Sequence, residues 1–184
     1  MACDSAHTVD FSYIQDSHRT LVNWLVDFEI ACWSNEALSS LTTILFAGYL
    51  VSSLFFVALA DIVGRRPIIF CGLVLHLVLN VILNFVFEEG YLLTYMVLFG
   101  IRGPMAGQVA MMLYIEFISP EKRGYFSILS ASIDGLINIL AVLCYKYLQD
   151  WKWWFLFNDI EVALLLILFF FFVAESPRYY ISRN

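Results

Sequence analysis

Charge is what this sequence has least of. Only 14% of its 184 residues are Asp, Glu, Lys or Arg, where an ordinary globular domain carries roughly 25%. With 61% hydrophobic residues and a mean hydropathy of +0.80, the shortage places the chain in the membrane class and excludes a soluble enzyme. Positive charge is scarcer still: 10 Lys and Arg stand against 16 Asp and Glu, a net charge of −6. No basic patch exists to neutralise a phosphate backbone, so nucleic acid is excluded as a partner. The sequence also lacks a nucleophile beside a base, a metal-ligand cluster and a Gly-rich phosphate loop ahead of a helix, which predicts no catalysis, no cofactor and no metal. Four cysteines decide little. Cys71 and Cys144 lie in apolar runs and read as small packing residues, while Cys3 and Cys32 share the N-terminal segment and either pair or stay free.

What is present is five long apolar runs: Ala37 to Ala60, Pro67 to Phe87, Tyr91 to Ile115, Gly124 to Leu148 and Lys152 to Ala174. Each holds 21 to 25 residues, and at about 1.5 Å per residue that length crosses a hydrocarbon core of roughly 30 Å. The apolar character is continuous and does not alternate, so a β-barrel is excluded. The expected fold is an all-α membrane protein of five transmembrane helices. The short connections, Asp61 to Arg66, Glu88 to Gly90, Glu116 to Arg123 and Gln149 to Trp151, predict that successive helices are antiparallel neighbours.

Basic residues set the expected orientation. Arg65, Arg66, Lys122, Arg123, Arg178 and Arg183 fall on one side, against Arg19, Lys146 and Lys152 on or near the other. The positive-inside rule then puts the C-terminal tail, residues 175–184, on the cytoplasmic or matrix side, and residues 1–36 outside. That outer segment carries Asp4, Asp10, Asp16, Asp27, Glu29 and Glu36 against Arg19 alone, unlike a signal or transit peptide. Leu21, Val22, Trp24, Leu25, Phe28 and Ile30 fall near helical spacing. They predict either a short amphipathic interfacial helix or a collapsed loop packed on the bundle.

The motifs sit in the loops. Asp61-Ile-Val-Gly64-Arg65-Arg66-Pro67 follows the first run, Glu116 to Arg123 reads E-x6-R after the third, and Glu175-Ser176-Pro177-Arg178-Tyr179 closes the fifth. Gly64 permits a tight turn, and Asp61 can accept from backbone amides or pair with an arginine. The set resembles the major facilitator superfamily. With Asp27-Phe28-Glu29-Ile30-Ala31-Cys32 ahead of it, the chain resembles more closely that superfamily's organic cation and anion transporters. The resemblance covers about residues 24 to 184. It implies that Asp61, the loop arginines, Glu116, Arg123, Glu175 and Arg178 form a charged cluster locking one side of the bundle. It also implies that the five runs are family helices two to six. Helix one and the second half would then be missing, along with the opposing wall between which such transporters bind substrate. Val57 stands where the family usually has Gly, and Met96 where superfamily members often have Arg.

The resemblance and these departures together imply a degenerate half-transporter, an accessory or structural subunit whose partners are the bilayer and other membrane subunits. A respiratory assembly of the mitochondrial inner membrane is one host to consider, although no residue addresses the chain there. The alternatives are one part of a split transporter of small organic ions, or a fragment of a full-length one.

Charged groups inside apolar runs are functional hypotheses, because a charge at the bilayer centre costs at least about 2.5 to 3.5 kcal/mol. Arg102 and Asp134 lie at similar depths, which predicts an interhelical ion pair, either part of a pathway or a fixed structural register. His76, Asn80 and Asn84 form a polar stripe expected to hydrogen-bond to another helix. Asp159 and Glu161 interrupt the last run about two turns below Trp151, Trp153 and Trp154. They are expected to line a vestibule or to meet a partner from another subunit.

Overall fold

A computed structural model describes residues 24–28, 30, 33–86 and 89–175. Among these residues the secondary structure is helical, without strands. A single turn, α1 (Trp24–Asp27), precedes α2 (Asn35–Val63), α3 (Arg65–Leu83) and α4 (Glu89–Gly103). A π-turn over Pro104–Gln108 joins α4 to α5 (Val109–Phe117), and a 3-10 turn at Pro120–Lys122 leads into α6 (Arg123–Leu148) and α7 (Trp151–Phe172). The five helices long and apolar enough to cross a membrane are Asn35–Val63, Arg65–Leu83, Gly90–Phe117, Pro120–Leu148 and Trp151–Phe172. Each coincides with one of the five apolar runs, so the five-helix expectation holds.

Local chemistry sets the boundaries. Ser34 caps α2, its Oγ accepting from the Ala37 amide at 3.2 Å. Gly64 separates α2 from α3 with φ +112°, a conformation that a side chain would strain. Asp150 caps α7, its Oδ1 accepting from the Lys152 amide at 2.9 Å. Pro104 has no N–H to offer the preceding turn, and there the ladder widens into the π-turn, with Val109 N–H donating to the Pro104 carbonyl.

Sequence neighbours are not the main spatial neighbours. The most extensive interface joins α2 to α4, which run parallel, and α3 lies against α4 and α7. Two glycines make this arrangement. A Cβ on Gly48 would stand 2.6 Å from the Val97 carbonyl oxygen, and one on Gly100 would collide with the Leu45 carbonyl. The two backbones touch, and the Ser52 hydroxyl crosses between them to the Ile101 carbonyl at 2.5 Å. Small residues at such contacts are how membrane helices gain dispersion energy, since lipid offers no hydrophobic drive.

The buried residues form two clusters. Near the Trp151 end lie Phe28, Ile30, Leu41, Leu79, Leu83, Leu92, Tyr95 and Trp151; near the opposite end lie Ala60, Ile68, Ile69, Met105, Val109 and Leu113. Phe28 and Ile30, 1% and 0% exposed, show that the described part of residues 20–33 is one helical turn and a collapsed loop packed on the bundle. It is not a free interfacial helix. The segment is tied down by Asp27, whose Oδ2 accepts from Trp151 Nε1 at 3.0 Å and lies 3.0 Å from Lys152 Nζ.

Helix α6 differs from the rest. It packs on α7 and on the 3-10 turn that leads into it, and none of its residues is buried.

Candidate functional site

Three polar constellations sit in this bundle. The first is at the α2–α3 turn. Arg65, only 7% exposed, places Nη1 2.6 Å from Glu116 Oε1 and Nη2 3.2 Å from Asp61 Oδ1. From the end of α7, Glu175 turns its carboxylate onto the start of α3, accepting from the Arg65 amide at 2.9 Å and the Arg66 amide at 3.2 Å. A carboxylate at a helix N-terminus satisfies orphan amides and meets the positive end of the dipole. Gly64 leaves room for it: a Cβ there would stand 2.8 Å from Glu175 Oε2. Arg66 Nη2 donates to the Phe170 carbonyl at 2.7 Å. The first turn, the end of α5 and the end of α7 are thus stitched together by charge-assisted bonds. Arg123 is not gathered in; it is exposed, its Nε donating to the Ile118 carbonyl at 3.3 Å. Arg178 and Arg183 lie outside the described residues, as do Cys3 and Cys32.

The second constellation is buried in the middle of the bundle. His76 Nε2 lies 2.6 Å from Asn158 Oδ1 and 2.9 Å from Asn80 Nδ2, and Asn80 Nδ2 lies 3.4 Å from Asn158 Oδ1. One ring nitrogen cannot both donate and accept. The consistent assignment has Nε2–H donating to Asn158 Oδ1, with the Asn80 amide donating to the same oxygen. Tyr95 O–H then donates to Asn80 Oδ1 at 3.0 Å. Farther along α3, Asn84 Nδ2 donates to the Asn80 carbonyl at 3.0 Å and to Asp159 Oδ2 at 3.4 Å. The His76, Asn80 and Asn84 stripe therefore meets another helix, as its periodicity predicts, and joins α3 to α4 and α7. Its partners Asn158 and Tyr95 carry no sequence signal of their own. Asn158 stands beside Asp159 inside an apolar run, and that pairing is the one clue available.

The third group is Arg102. Its guanidinium carbon lies 4.1 Å from the Phe99 ring centroid, and Phe99 in turn stacks on Tyr95 at 5.2 Å. The expected Arg102–Asp134 ion pair does not form. Asp134 is exposed on α6, which is held by α7 and not by α4; equal depth along two helices does not make them neighbours. Arg102 is served by an aromatic face in place of a carboxylate, and its Nε has no hydrogen-bond partner among the described residues. In a double-mutant cycle read by unfolding in mixed micelles, Arg102→Ala and Asp134→Ala are expected to add within about 0.5 kcal/mol. A coupling above about 1 kcal/mol would mean that the two charges meet.

The last two acids part company. Glu161 is exposed on α7. Asp159 is buried and held from within this chain by Asn84, so its carboxylate is not left wholly to another subunit; its Oδ1 nevertheless has no partner. Among the described residues no group of three His, Cys, Asp or Glu side chains is arranged to hold a metal. Cys71 and Cys144 are free thiols.

Comparison with known proteins agrees with the motif cluster. The profile of the Major Facilitator Superfamily matches residues 6–182. The chain is 23% identical over 179 residues to an "Organic cation transporter-like protein" of Drosophila melanogaster, covering 94% of this chain and 30% of that protein. It is 26% identical over 190 residues to "Solute carrier family 22 member 7" of Homo sapiens, covering 99% of this chain and 32% of that one. With "Organic cation/carnitine transporter 7" of Arabidopsis thaliana the identity is 30% over 155 residues, 79% of this chain and 29% of the relative. The chain thus spans about 30% of the length of these curated relatives. With five membrane-crossing helices, the Arg65 cluster at the first turn and a family match over nearly its whole length, this integral membrane protein belongs to the Major Facilitator Superfamily and is organic cation transporter-like.

Proposed function

We propose that this bundle works as part of a larger membrane assembly, as an accessory or structural subunit built on a transporter fold, and is neither an enzyme nor a stand-alone transporter. Helix α6 carries the proposal. It runs for 26 residues with none buried, and Ser127, Ala131, Asp134 and Asn138 recur along one side of it, all exposed. An uncovered carboxylate in the middle of a membrane helix costs at least about 2.5 kcal/mol. A helix from outside the described bundle that covers this side would remove that cost, and small and polar residues are what close helix–helix contacts in membranes use.

A photo-crosslinking side chain in place of Ala131 tests it, with Phe171 on the exposed side of α7 as control. In native membranes the Ala131 position should give one discrete protein adduct, and the mild-detergent complex should have fixed stoichiometry, while the control labels lipid. Migration of the chain alone, with only lipid adducts from both positions, would refute it.

The charge cluster favours a second reading, in which the bundle is one working part of a small organic-ion transporter. The Arg65, Glu116 and Glu175 contacts tie helix ends together at a single end of the bundle, the place where a membrane gate would close. Uptake of radiolabelled tetraethylammonium by vesicles holding the complex, lost on Arg65→Met, would establish this reading over the first.

A further inference from the structure

We propose that the groove between α3 and α7 near Trp151 is a binding site for a lipophilic amine, held by Asp159. The groove encloses about 390 Å³, within the range of small-ligand pockets. Val81, Phe85, Trp153 and Leu156 form its apolar walls, and Asn84 and Asp159 supply the polar patch. Asp159 is 7% exposed, and its Oδ1 is a buried acceptor without a donor. Burying an ionised carboxylate with one oxygen unmet is costly, and an N–H donor carrying positive charge removes both parts of that cost.

The surroundings select the ligand's charge and shape. Asp150 and Lys152 complete the lining, and Lys152 Nζ is already 3.0 Å from Asp27 Oδ2. Three carboxylates, Asp27, Asp150 and Asp159, thus stand around one ammonium, and their excess negative charge draws a cation. The orphan Oδ1 requires an N–H, which favours a primary or secondary amine over a quaternary one. A metal ion is a poor fit, because Asp159 and Asn84 offer few oxygens and hard cations take six or more. Phe85, Trp153 and Leu156 are exposed on the bundle's outer side, and Asp159 lies about 12 Å along α7 from Trp151. The route in is through the membrane interface, with the ring or chain of the amine against Trp153 and Phe85 and its ammonium on Asp159. The site is built from α3 and α7 alone, so it does not depend on what covers α6.

The probe is radiolabelled phenethylamine, measured by scintillation proximity on the full chain in lipid nanodiscs at neutral pH, with empty nanodiscs subtracted. Saturable binding of one amine per chain is expected, with no competition from 2-phenylethanol, which has the same body without the charge. Asp159→Asn should weaken binding at least about tenfold. Leu156→Trp, at an exposed position, fills the groove with the carboxylate intact and should weaken it comparably, so the site can be tested even where Asp159→Asn fails to fold. Unsaturable binding, equal competition by 2-phenylethanol, or unchanged affinity in Leu156→Trp would overturn the proposal. So would a discrete protein adduct from a crosslinker at Trp153 in native membranes, which would make the groove a protein interface.

Discussion

Gly100→Leu is expected to prevent recovery of the folded bundle. A side chain at this position collides with the Leu45 carbonyl and comes within 3.1 Å of the Tyr49 amide nitrogen, both main-chain atoms of α2 that no rotamer change can move. Overpacking in a core that can adjust costs about 1–3 kcal/mol; here the obstacle is backbone, and relief requires α2 and α4 to separate. Separation would also strain the Ser52–Ile101 hydrogen bond and the 2.9 Å bond from Gln108 Nε2 to Tyr49 Oη, which joins the same helices through the π-turn. A loss above about 3 kcal/mol exceeds what most marginally stable bundles hold in reserve. Gly135→Leu is the control, because a Cβ there meets nothing within 4 Å. Fluorescence-detected size exclusion after a heat step should show Gly135→Leu running with the parent and Gly100→Leu in the void. Parent-like melting of Gly100→Leu would mean that the α2–α4 contact does not hold the bundle together.

The helices were legible because membrane insertion writes its requirement into composition: about twenty apolar residues per crossing, whatever they pack against. Their ends were legible to within a turn or so where a cap has a residue signature, as at Ser34, Gly64 and Asp150. Neighbour relations were not. Short loops suggested that successive helices pair, yet the main partner of α2 is α4. The physical reason is Gly48 facing Gly100, a complementarity between two segments that appears in neither alone.

The same limit governs the polar groups. Asp61, Gly64, Arg65, Glu116 and Glu175 could be anticipated because they occupy motifs at helix ends, and the turn at Gly64 and the Arg65 contacts bring them together. Arg123 belongs to the same motif and stays outside, since the 3-10 turn at Pro120 leaves it exposed on the first turn of α6. The stripe of His76, Asn80 and Asn84 announced a partner helix without naming it, and Asn158 answers it from α7. The Arg102–Asp134 expectation failed for a related reason: depth along a helix is readable from residue number, but azimuth and neighbour are not. An arginine can also be satisfied by Phe99, a residue that carries no charge to pattern.

Arg65→Met provides the second large effect. Methionine keeps the length and apolar stem of the arginine and removes only the guanidinium. The change leaves Glu116, whose side chain is 19% exposed, without its main cation, and leaves Asp61, 65% exposed, free to turn to water. Breaking a buried pair costs about 3–5 kcal/mol, and partial access of water to this helix end brings the expected loss to about 2–4 kcal/mol. If the cost comes from the stranded Glu116 carboxylate, adding Glu116→Gln should restore part of it. Asp61→Asn alone should change stability by less than about 1 kcal/mol, because an exposed partner contributes little. Unfolding in mixed micelles, read as a three-variant cycle, separates these terms. No rescue by Glu116→Gln would mean that Arg65 matters for packing at the start of α3 and not for charge. Rescue would identify the Arg65–Glu116 contact as the bond that fastens the first turn to the end of α5, the contact a gate would have to break and a structural subunit would keep closed.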